Sequence, residues 1–366
     1  MRALFAIKSL NTVGGGAEKV FTQVIGGLVD RGHEVRVLTF DPPGPSFYPL
    51  EPSVERIDLE LGSVGAPTPR TALIKAVPRM RHIVRGLEPD VVAAFMHSMF
   101  IPLGVSLIGT GIPVVASEHI GIEHYASRRA ERSLLELTPL VSVAATIPSS
   151  RVRNGYPRRL HRRMWPIPNP IAPVVSVTER SPGAASIVSV GRLFEQKNHA
   201  ELIDAFATVA PRFPEWQLRI IGDGELRGDL EQQITRLGLE GRVLLPGATD
   251  DVASEYERAA FVAVPSRYES FGLVTAEALA AGRAVVGFGD CPGTNELIED
   301  GVNGLLVDGS GDRVASLGDG LERLMRDREY REKLGAAGPT SVSAYDLDVV
   351  VDRWEDLLLR CAALRR

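Results

Sequence analysis

The length, composition and charge of the chain describe an ordinary globular protein. Its 366 residues favour two domains, and a hydrophobic content of 44% excludes a disordered chain. The two cysteines, Cys291 and Cys361, cannot form a disulfide framework and match no zinc-binding spacing, so the sequence predicts a protein of the reducing cytoplasm.

The first half of the chain alternates short apolar strands with helices. It begins without the apolar core of a signal peptide, and its most apolar stretch, residues 101–116, is interrupted by prolines and is shorter than the roughly 18 residues of a membrane span. The alternation predicts a doubly wound parallel sheet. The predicted strands are residues 3–7, 34–40, 90–95, 113–117 and 140–145, and the predicted helices are residues 17–31 and 71–86.

The same pattern restarts after a proline-rich segment. Residues 165–173 contain four prolines, which exclude a helix or a central strand and predict a linker. A last helix, residues 346–363, has no place in the second sheet. The sequence therefore predicts an N-terminal domain of residues 1–168 plus 346–366 and a C-terminal domain of residues 169–345. The strands predicted for the second sheet are residues 187–190, 217–221, 243–245, 260–264 and 284–288.

Charge is distributed unevenly between the two domains. Residues 1–168 contain 20 Lys and Arg against 14 Asp and Glu, whereas the rest of the chain contains 21 against 32. The first half is therefore basic by 6 charges and the remainder acidic by 11. A basic half suggests that it meets an anionic partner, and chance variation between domains is the alternative.

A glycine-rich motif, residues 12–19, follows the first strand and opens the first helix. Gly14 to Gly16 allow a ligand to approach the backbone, and the helix N-terminus favours an anion such as a phosphate. A tight strand-to-helix turn is the alternative, because it also requires glycine. The dinucleotide fingerprint is incomplete, since Lys19 replaces its third glycine, although Asp41 after the second strand is the acidic residue that this fingerprint uses.

Two cations follow the first strand of the second domain. Arg192 and Lys197 lie in one loop, on the side where open α/β sheets bind ligands. Arginine grips phosphate oxygens in pairs and lysine adds a compact charge, so the two would offset the charge of a diphosphate. Two ordinary surface cations in a solvated turn are the alternative.

Two glutamates flank the start of a later helix. Glu269 lies in the loop before it, and Glu277 lies about 7.5 Å inside it along the axis. The amides of residues 271–273 form a helix N-terminus open to an anion. The helix around Glu277 is small and apolar, so its carboxylate requires hydrogen-bond donors, which two ribose hydroxyls would supply. A stabilising glutamate near a helix start is the alternative.

Together these motifs resemble the retaining glycosyltransferases of family 4, which have the GT-B fold. The resemblance covers nearly the whole chain and includes residues 300–307, which are similar to a turn and strand of the family. It implies an α/β fold of two Rossmann-like doubly wound domains that face a central cleft, the first on the acceptor side and the second binding the donor. It also implies donor contacts: Arg192, Lys197, Phe271, Gly272, Leu273, Gly15 and Gly16 at the diphosphate, Glu277 at the ribose, and Glu269, as a catalytic residue, at the sugar.

The resemblance also points to residues around the donor sugar. His119 resembles the family histidine that contacts the sugar and is the second predicted catalytic residue, and His97 is a possible sugar or acceptor contact. A histidine that is merely packed or exposed is the alternative for both. Residues 290–296 depart from the commonest family versions of the donor-sugar loop, which leaves the sugar open. Further possible contacts in this loop are Gly293, Thr294 and Asn295.

The sequence predicts neither a metal nor a cofactor. It has no carboxylate cluster with metal-ligand spacing, and GT-B enzymes generally do without a metal bridge. The nucleotide sugar is a substrate, and a UDP-sugar is the predicted donor.

Two basic stretches of the first domain suggest an anionic membrane surface. Lys75, Arg79 and His82 share one face of a predicted helix, and residues 151–163 contain six arginines and no acidic residue. Related enzymes often use lipid-linked saccharides, so the chain is predicted to be cytoplasmic with peripheral binding to the inner face of the membrane. Two solvated faces are the alternative. Nucleic acid is not a predicted partner, because the aromatic residues form no stacking platform.

The sequence therefore predicts transfer of a hexosyl or N-acetylhexosaminyl group from a nucleotide-diphosphate sugar to a saccharide or lipid-linked acceptor. Retention at the anomeric carbon is implied by the resemblance alone. A nucleotide-sugar epimerase of the same fold is the alternative reaction. A nicotinamide-dependent oxidoreductase would leave the two cations and two glutamates without a purpose, and an inactive scaffold would not need the intact set of motifs.

Overall fold

The chain folds into two compact α/β units. The computed structural model describes residues 1–11, 15–62, 69–125, 128–156, 158–171 and 185–365. Contacts within the chain divide it into Met1–Pro170 with Leu347–Arg366, which we call unit 1, and Ile171–Asp346, which we call unit 2. Thr12, Val13 and Gly14 of the glycine-rich motif lie outside the described residues.

Unit 1 is built on a parallel sheet. Its strands are β1 Arg2–Ala6, β2 Glu34–Thr39, β3 Glu55–Asp58, β4 Val91–Phe95, β5 Val114–Ser117, β6 Ala144–Ile147 and β7 Met164–Pro166. Within the described residues these seven strands lie in the order β3-β2-β1-β4-β5-β6-β7. The order reverses between β1 and β4, and doubly wound sheets bind ligands at the carboxyl ends of the strands beside such a switch.

Helices cover the sheet of unit 1, which is why a central strand such as β4 is buried along its whole length. Short 3₁₀ helices span Ile122–Tyr125 and Arg158–Arg163. The α-helices before the linker are α1 Gly16–Asp30, α2 Arg70–Leu87, α3 His97–Leu107, α4 Arg129–Leu135, α5 Thr138–Val141 and α6 Ser150–Gly155.

Two local features of unit 1 differ from the sequence prediction. The first residues of the predicted strand 140–145 belong to helix α5, and β6 starts only at Ala144. Pro139 does not prevent this helix, because proline is tolerated in a first helical turn. A short apolar run does not distinguish the two structures. The start of the predicted linker forms β7, where Pro166 is tolerated because β7 is the edge of the sheet.

Unit 2 repeats the same type of sheet. Its strands are β8 Ser186–Val190, β9 Gln217–Ile221, β10 Val243–Gly247, β11 Phe261–Val264, β12 Val285–Phe288 and β13 Gly304–Val307. In the part of the chain that the structure describes, these six parallel strands lie in the order β10-β9-β8-β11-β12-β13. The order reverses between β8 and β11, so the loops that follow these two strands are neighbours at the switch.

The helices of unit 2 follow its strands, and a final helix returns to unit 1. Across the described residues, none of the helices combines the length and the apolarity that crossing a bilayer requires. Short 3₁₀ helices span Glu195–Lys197, Ala210–Arg212 and Ser343–Tyr345. The α-helices are α7 His199–Val209, α8 Arg227–Arg236, α9 Val252–Arg258, α10 Leu273–Ala280, α11 Thr294–Leu297, α12 Arg313–Arg326, α13 Arg328–Val342 and α14 Leu347–Ala362.

The final helix, α14, packs against α1 in unit 1. Its buried Trp354 stacks on Phe95 with ring centroids 5.5 Å apart. A Cβ at Gly27 of α1 would lie 2.6 Å from Val351, so glycine allows the two helices to approach closely. This packing explains why the apolar stripe of α14 has no place in the second sheet.

Candidate active site

The loop after β8 in unit 2 is anchored on the loop after β9. The Leu193 N–H donates to the Asp223 carbonyl at 2.9 Å. Gly222 has a φ of +151°, and a Cβ at this position would lie 2.0 Å from the Gly191 carbonyl oxygen. Only glycine fits this close approach, so the backbone holds the loop that carries both predicted cations.

The predicted donor residues Lys197 and Glu269 meet in the structure. Lys197 Nζ donates to Glu269 Oε1 at 2.6 Å, and the Ser266 hydroxyl donates to the same oxygen at 2.7 Å. The charged side chains are only 17% and 11% exposed. The salt bridge joins the loops after β8 and β11, so Lys197 is a paired cation rather than an isolated one.

Arg192 occupies a different environment in the same loop. Its side chain is exposed, and its guanidinium carbon lies 5.0 Å from the centre of the Phe194 ring. A guanidinium that lies over a ring face uses none of its N–H groups in that contact, so they remain available to an acceptor. This geometry suits the predicted contact with a diphosphate.

Glu277 lies within α10 and accepts a hydrogen bond from the Tyr256 hydroxyl at 3.1 Å. Burial, together with the Glu277 carboxylate, raises the pKa of Tyr256 well above its usual value, so the hydroxyl remains a neutral donor. The protein therefore supplies one donor to this carboxylate itself. A carboxylate accepts several hydrogen bonds, so the ribose contact remains a prediction.

The predicted contacts at the start of α10 are backbone groups. Gly272 has a φ of 89° and precedes a helix that has no side-chain cap. Phe271 is buried and packs edge-on against Tyr345 at 5.2 Å between ring centres. Its side chain is therefore a packing group, and any contact of Phe271, Gly272 or Leu273 with phosphate would come from the amides.

The loop after β12 is held against the loop after β11. A Cβ at Gly293, which has a φ of 81°, would lie 2.7 Å from the Glu269 carbonyl oxygen. Thr294 is fully buried, and Asn295 Nδ2 donates to the Gly289 carbonyl at 2.7 Å. Thr294 is therefore a packing residue whose sugar or acceptor contact stays a prediction, and the Asn295 side chain contributes to holding its own loop.

Three residues near this site were missed in the sequence. His199 begins α7 and is 2% exposed, with Nδ1 3.4 Å from Ser189 Oγ and a buried Nε2 that has no partner among the described residues. Burial, together with the charge of Lys197, lowers the pKa of His199 to about 4, so the ring is neutral. Ser266 and Tyr256 were also missed. For Ser266 the sequence offered one signal, a serine three residues before a glutamate, and this spacing is too common to identify a site.

In unit 1, Gly15 has an extended backbone and Gly16 begins α1. A Cβ at Gly15 would lie 1.9 Å from Glu18 Oε2, so the Glu18 carboxylate lies beside the start of the helix. Negative charge is favourable at this position, but it opposes a second anion at the same place. The predicted diphosphate contact of Gly15 and Gly16 therefore competes with Glu18.

Asp41 is a structural residue. It is buried, and its Oδ1 accepts the Ser9 hydroxyl at 2.6 Å. Its Oδ2 accepts the Leu10 N–H at 2.7 Å and an Arg56 N–H at 3.1 Å. These donors occupy the carboxylate, so Asp41 does not support the dinucleotide-binding alternative.

His119 follows β5 and stacks on Phe95, with ring centres 4.8 Å apart and planes inclined by 13°. Its Nε2 lies 2.8 Å from Ser117 Oγ, which accepts the Thr146 hydroxyl at 2.7 Å. Burial lowers the pKa of His119 to about 4, although the charge of Glu118 opposes this shift. The ring is therefore neutral at neutral pH and acts as a fixed polar group rather than a charge.

His97 begins α3 and joins the same network. Its Nδ1 lies 2.8 Å from the Tyr125 hydroxyl, which also donates to Glu118 Oε2 at 3.2 Å. The buried Glu118 accepts the N–H groups of the two following residues through Oε1. Met96, the residue before His97, has a φ of 69°, and strained backbone conformations of this kind cluster at functional sites. The structure thus brings both predicted histidines to one buried carboxylate.

Two family models match the chain. The model described as Glycosyltransferase Family 4 matches residues 14–173, and the model described as Glycosyl transferases group 1 matches residues 177–341. The chain belongs to glycosyltransferase family 4. An oxidoreductase is therefore excluded, and neither matching family favours an epimerase.

Known proteins resemble this glycosyltransferase over its whole length. The Campylobacter jejuni GalNAc-alpha-(1->4)-GalNAc-alpha-(1->3)-diNAcBac-PP-undecaprenol alpha-1,4-N-acetyl-D-galactosaminyltransferase is 27% identical over 363 residues, which cover 98% of each chain. Sucrose-phosphate synthase from Thermosynechococcus elongatus has a TM-score of 0.83 at 21% identity and covers 99% of this chain and 100% of its own. Anabaena HepE in complex with UDP-glucose has a TM-score of 0.79 at 20% identity and covers 98% and 100%. The predicted α/β GT-B fold class, with two doubly wound domains, is confirmed.

Proposed function

We propose that this glycosyltransferase moves a hexosyl or N-acetylhexosaminyl group from a UDP-sugar to a saccharide or lipid-linked acceptor, with retention at the anomeric carbon. The observation that carries the proposal is the salt bridge between Lys197 and Glu269. Lys197 lies in the loop that also presents Arg192, and Glu269 lies in the neighbouring loop after β11. This arrangement collects, at the carboxyl edge of the unit 2 sheet, the cations and the carboxylate that a nucleotide diphosphate and its sugar require.

The two cations would have different tasks. The exposed Arg192 would grip diphosphate oxygens with its N–H edges. Lys197 shares its charge with Glu269, so a ground-state diphosphate must compete for it. As the leaving diphosphate gains charge, Lys197 would transfer its hydrogen bond to it. An interaction that strengthens in this way during the reaction lowers the barrier rather than merely tightening binding.

Glu277 would bind the ribose, and the sugar nucleotide would carry uracil. The HepE structure contains UDP-glucose, and its likeness to this chain over the full length supports a uridine nucleotide. We also propose that the two cations take the place of a metal bridge. In the described ranges, no group of three or more His, Cys, Asp or Glu side chains is arranged so that it could hold a metal ion.

Nucleotide binding tests the donor assignment. In a thermal-shift panel of nucleoside diphosphates we expect UDP to raise the melting temperature most, with or without EDTA. Arg192→Ala should lose most of this increase while the free protein melts as before, because Arg192 is exposed. Arg236→Ala, an exposed arginine of α8, is the matched control. An Arg192→Ala variant that binds UDP like the wild type would remove the phosphate role.

Product analysis separates transfer from epimerisation. When the protein is incubated with the donor and no acceptor, a transferase leaves the sugar nucleotide largely unchanged, whereas an epimerase accumulates a second sugar nucleotide. When an acceptor is added, the anomeric configuration of the product, measured by NMR, tests retention.

The acceptor proposal draws on a relative and on a surface of unit 1. The acceptor in the name of the Campylobacter jejuni enzyme is a saccharide on undecaprenyl diphosphate. We propose a lipid-linked acceptor of this chemical class and peripheral docking on the cytoplasmic face of an anionic membrane. His97 is proposed as a sugar or acceptor contact, because it lies at the carboxyl edge of the unit 1 sheet.

An apolar patch at the amino ends of β5 and β6 supports this docking. Exposed side chains of Ile108, Leu140, Val143 and Leu364 line a groove with a volume of about 350 Å³. Leu140 is 72% exposed, and three further exposed apolar side chains line the same groove. A contiguous apolar surface of this kind marks an interaction site.

An arginine of α2 and an arginine of residues 151–163 border this apolar patch. Arg81 of α2 donates to the Ile108 carbonyl at 2.8 Å, and Arg163 donates to the Ser142 carbonyl at 3.0 Å. An apolar centre with a basic rim is the composition of proteins that lie in a membrane interface. The exposed cations of α2 and of residues 151–163 also include Lys75, Arg79, Arg85, Arg151, Arg158, Arg159 and Arg162, of which Arg159 pairs with Glu136, and His82 is exposed on the same helix as Lys75.

Vesicle sedimentation tests the docking. We expect the protein to sediment with vesicles rich in phosphatidylglycerol, less at high salt, and not with phosphatidylcholine alone. The double variant Leu140→Ser and Leu364→Ser should lose most of this binding, whereas Leu237→Ser, an exposed leucine of unit 2, should retain it. Absence of binding at low salt would overturn the proposal.

A further inference from the structure

Two polar atoms lie unpaired in the interior of unit 1. Nδ1 of His119 and Oδ1 of Asn169 are both buried, and neither forms a hydrogen bond with a described residue. The side chains are neighbours, since Asn169 is close enough to raise the pKa of the His119 ring. A buried polar group without a partner is costly, and a donor paired with an acceptor would remove both costs with one bond.

The Ser117 hydroxyl favours one of the two neutral tautomers of His119. Ser117 Oγ accepts the Thr146 hydroxyl at 2.7 Å and lies 2.8 Å from His119 Nε2. A serine has one proton to donate, and donating it to Nε2 uses that proton fully. Were Nε2 protonated while Thr146 donates to Ser117, Ser117 would accept from both neighbours, and its own proton would have no acceptor among the described residues. This arrangement favours Nε2 as the acceptor and the ring proton on Nδ1.

We propose that Asn169 is a positioning residue that accepts a hydrogen bond from His119 Nδ1–H and locks the ring in this neutral tautomer. The bonds then run in one direction, from Thr146 through Ser117 and His119 to Asn169. The stacked Phe95 ring fixes the plane of the imidazole.

The lock changes what His119 can offer to a substrate. Both ring nitrogens are occupied within unit 1, so a sugar hydroxyl reaches Nδ1 only by displacing Asn169. Asn169 lies three residues after the end of β7, so such a displacement would move the segment that follows this edge strand. This consequence rests on the proposed function, whereas the tautomer does not.

Histidine-specific NMR on the full-length protein tests the lock. In two-bond ¹H–¹⁵N spectra, with the His119 signals assigned from their loss in His119→Gln, we expect the Nδ1–H pattern at neutral pH and no protonation above about pH 5. Asn169→Leu should convert this pattern into a mixture of tautomers. Asn169→Asp should preserve Nδ1–H and raise the pKa of the ring by about 1 to 3, because a carboxylate stabilises the charged imidazole.

The controls keep the test decisive. Asn154→Leu, an exposed asparagine of α6, should leave the His119 signals unchanged. If Asn169→Leu does not fold, the tautomer of His119 in the wild type and the pKa of His119 in Asn169→Asp still test the proposal. An Nε2–H pattern in the wild type, or unchanged His119 signals in Asn169→Leu, overturns the proposal. Failure of UDP binding would instead count against the proposed function and leave these spectra as they are.

Discussion

The two units have the same order of strands around the switch but hold their carboxyl edges with different chemistry. In unit 2, the Lys197–Glu269 salt bridge joins two loops. In unit 1, neutral hydroxyls and one buried carboxylate, Glu118, hold two histidines. A charged edge suits a diphosphate, whereas an edge of mostly neutral groups suits the hydroxyls of a saccharide. One topology therefore supports two kinds of recognition, and the side chains at the strand ends decide which.

Domain charge does not predict this difference. The first half of the chain is basic and the second acidic, yet the predicted phosphate-binding cations lie in the acidic half. The basic excess of unit 1 lies largely on its outer surface, along α2 and residues 151–163. Net charge therefore describes the outside of each unit, while the site depends on a few partly buried groups.

The largest expected effect comes from breaking the charged edge. Lys197→Ala leaves Glu269 as a mostly buried carboxylate without its cation, so we expect the free energy of unfolding to fall by about 3–5 kcal/mol and transfer to be lost. Adding Glu269→Gln to this variant should restore most of the stability but no transfer. Denaturant unfolding and UDP release measure the two effects. A stable, active Lys197→Ala would refute the role of the pair.

Lowering the pH tests the state of His199, the buried histidine near the Lys197–Glu269 salt bridge. The pKa of His199 is about 4 in the folded chain against about 6.5 when unfolded, so between these values the unfolded chain binds more protons. The contribution of the neutral His199 ring to the free energy of unfolding should be complete above pH 6.5. Below that pH it should fall by about 1.4 kcal/mol per pH unit. His199→Gln should make the pH dependence shallower in denaturant titrations. An equally steep dependence in the variant would show that the ring is not buried and neutral.

A smaller effect is expected at Tyr256. Tyr256→Phe removes one hydrogen bond that holds the Glu277 carboxylate, so the free energy of unfolding should fall by about 1 kcal/mol and UDP should bind more weakly to the less well held carboxylate. Binding of 2′,3′-dideoxy-UDP should change less, because it lacks the ribose hydroxyls. Calorimetry measures both, with Tyr330→Phe as the control in the same unit. Equal losses for the two ligands would mean that Glu277 does not bind the ribose.

The smallest effect is expected at the start of α1. Glu18→Gln removes a favourable charge from the helix N-terminus and should cost about 0.3–1 kcal/mol of stability. If a diphosphate contacts Gly15 and Gly16, the same change should tighten UDP binding about twofold in calorimetry. Unchanged binding would remove these glycines from the diphosphate site.

Regular elements were predictable where apolar runs end in clear turn residues. Strand β9 spans Gln217–Ile221 as predicted, because a short apolar run is followed directly by Gly222 and Asp223. The run at residues 140–145 failed because helix α5 and strand β6 are both apolar there, and only packing separates them. The short edge strand β3, Glu55–Asp58, has too few apolar residues to be recognised.

The sequence by itself determined which residues follow the strands, because the alternation of strands and helices depends on local periodicity. Only the tertiary structure decided which groups pair there. Lys197 and Glu269 are 72 residues apart, and neither the Tyr256 hydroxyl beside Glu277 nor the donors that occupy Asp41 follow from spacing. Hydrogen bonds and burial depend on positions within a few tenths of an ångström, and those positions arise only when distant segments pack against each other.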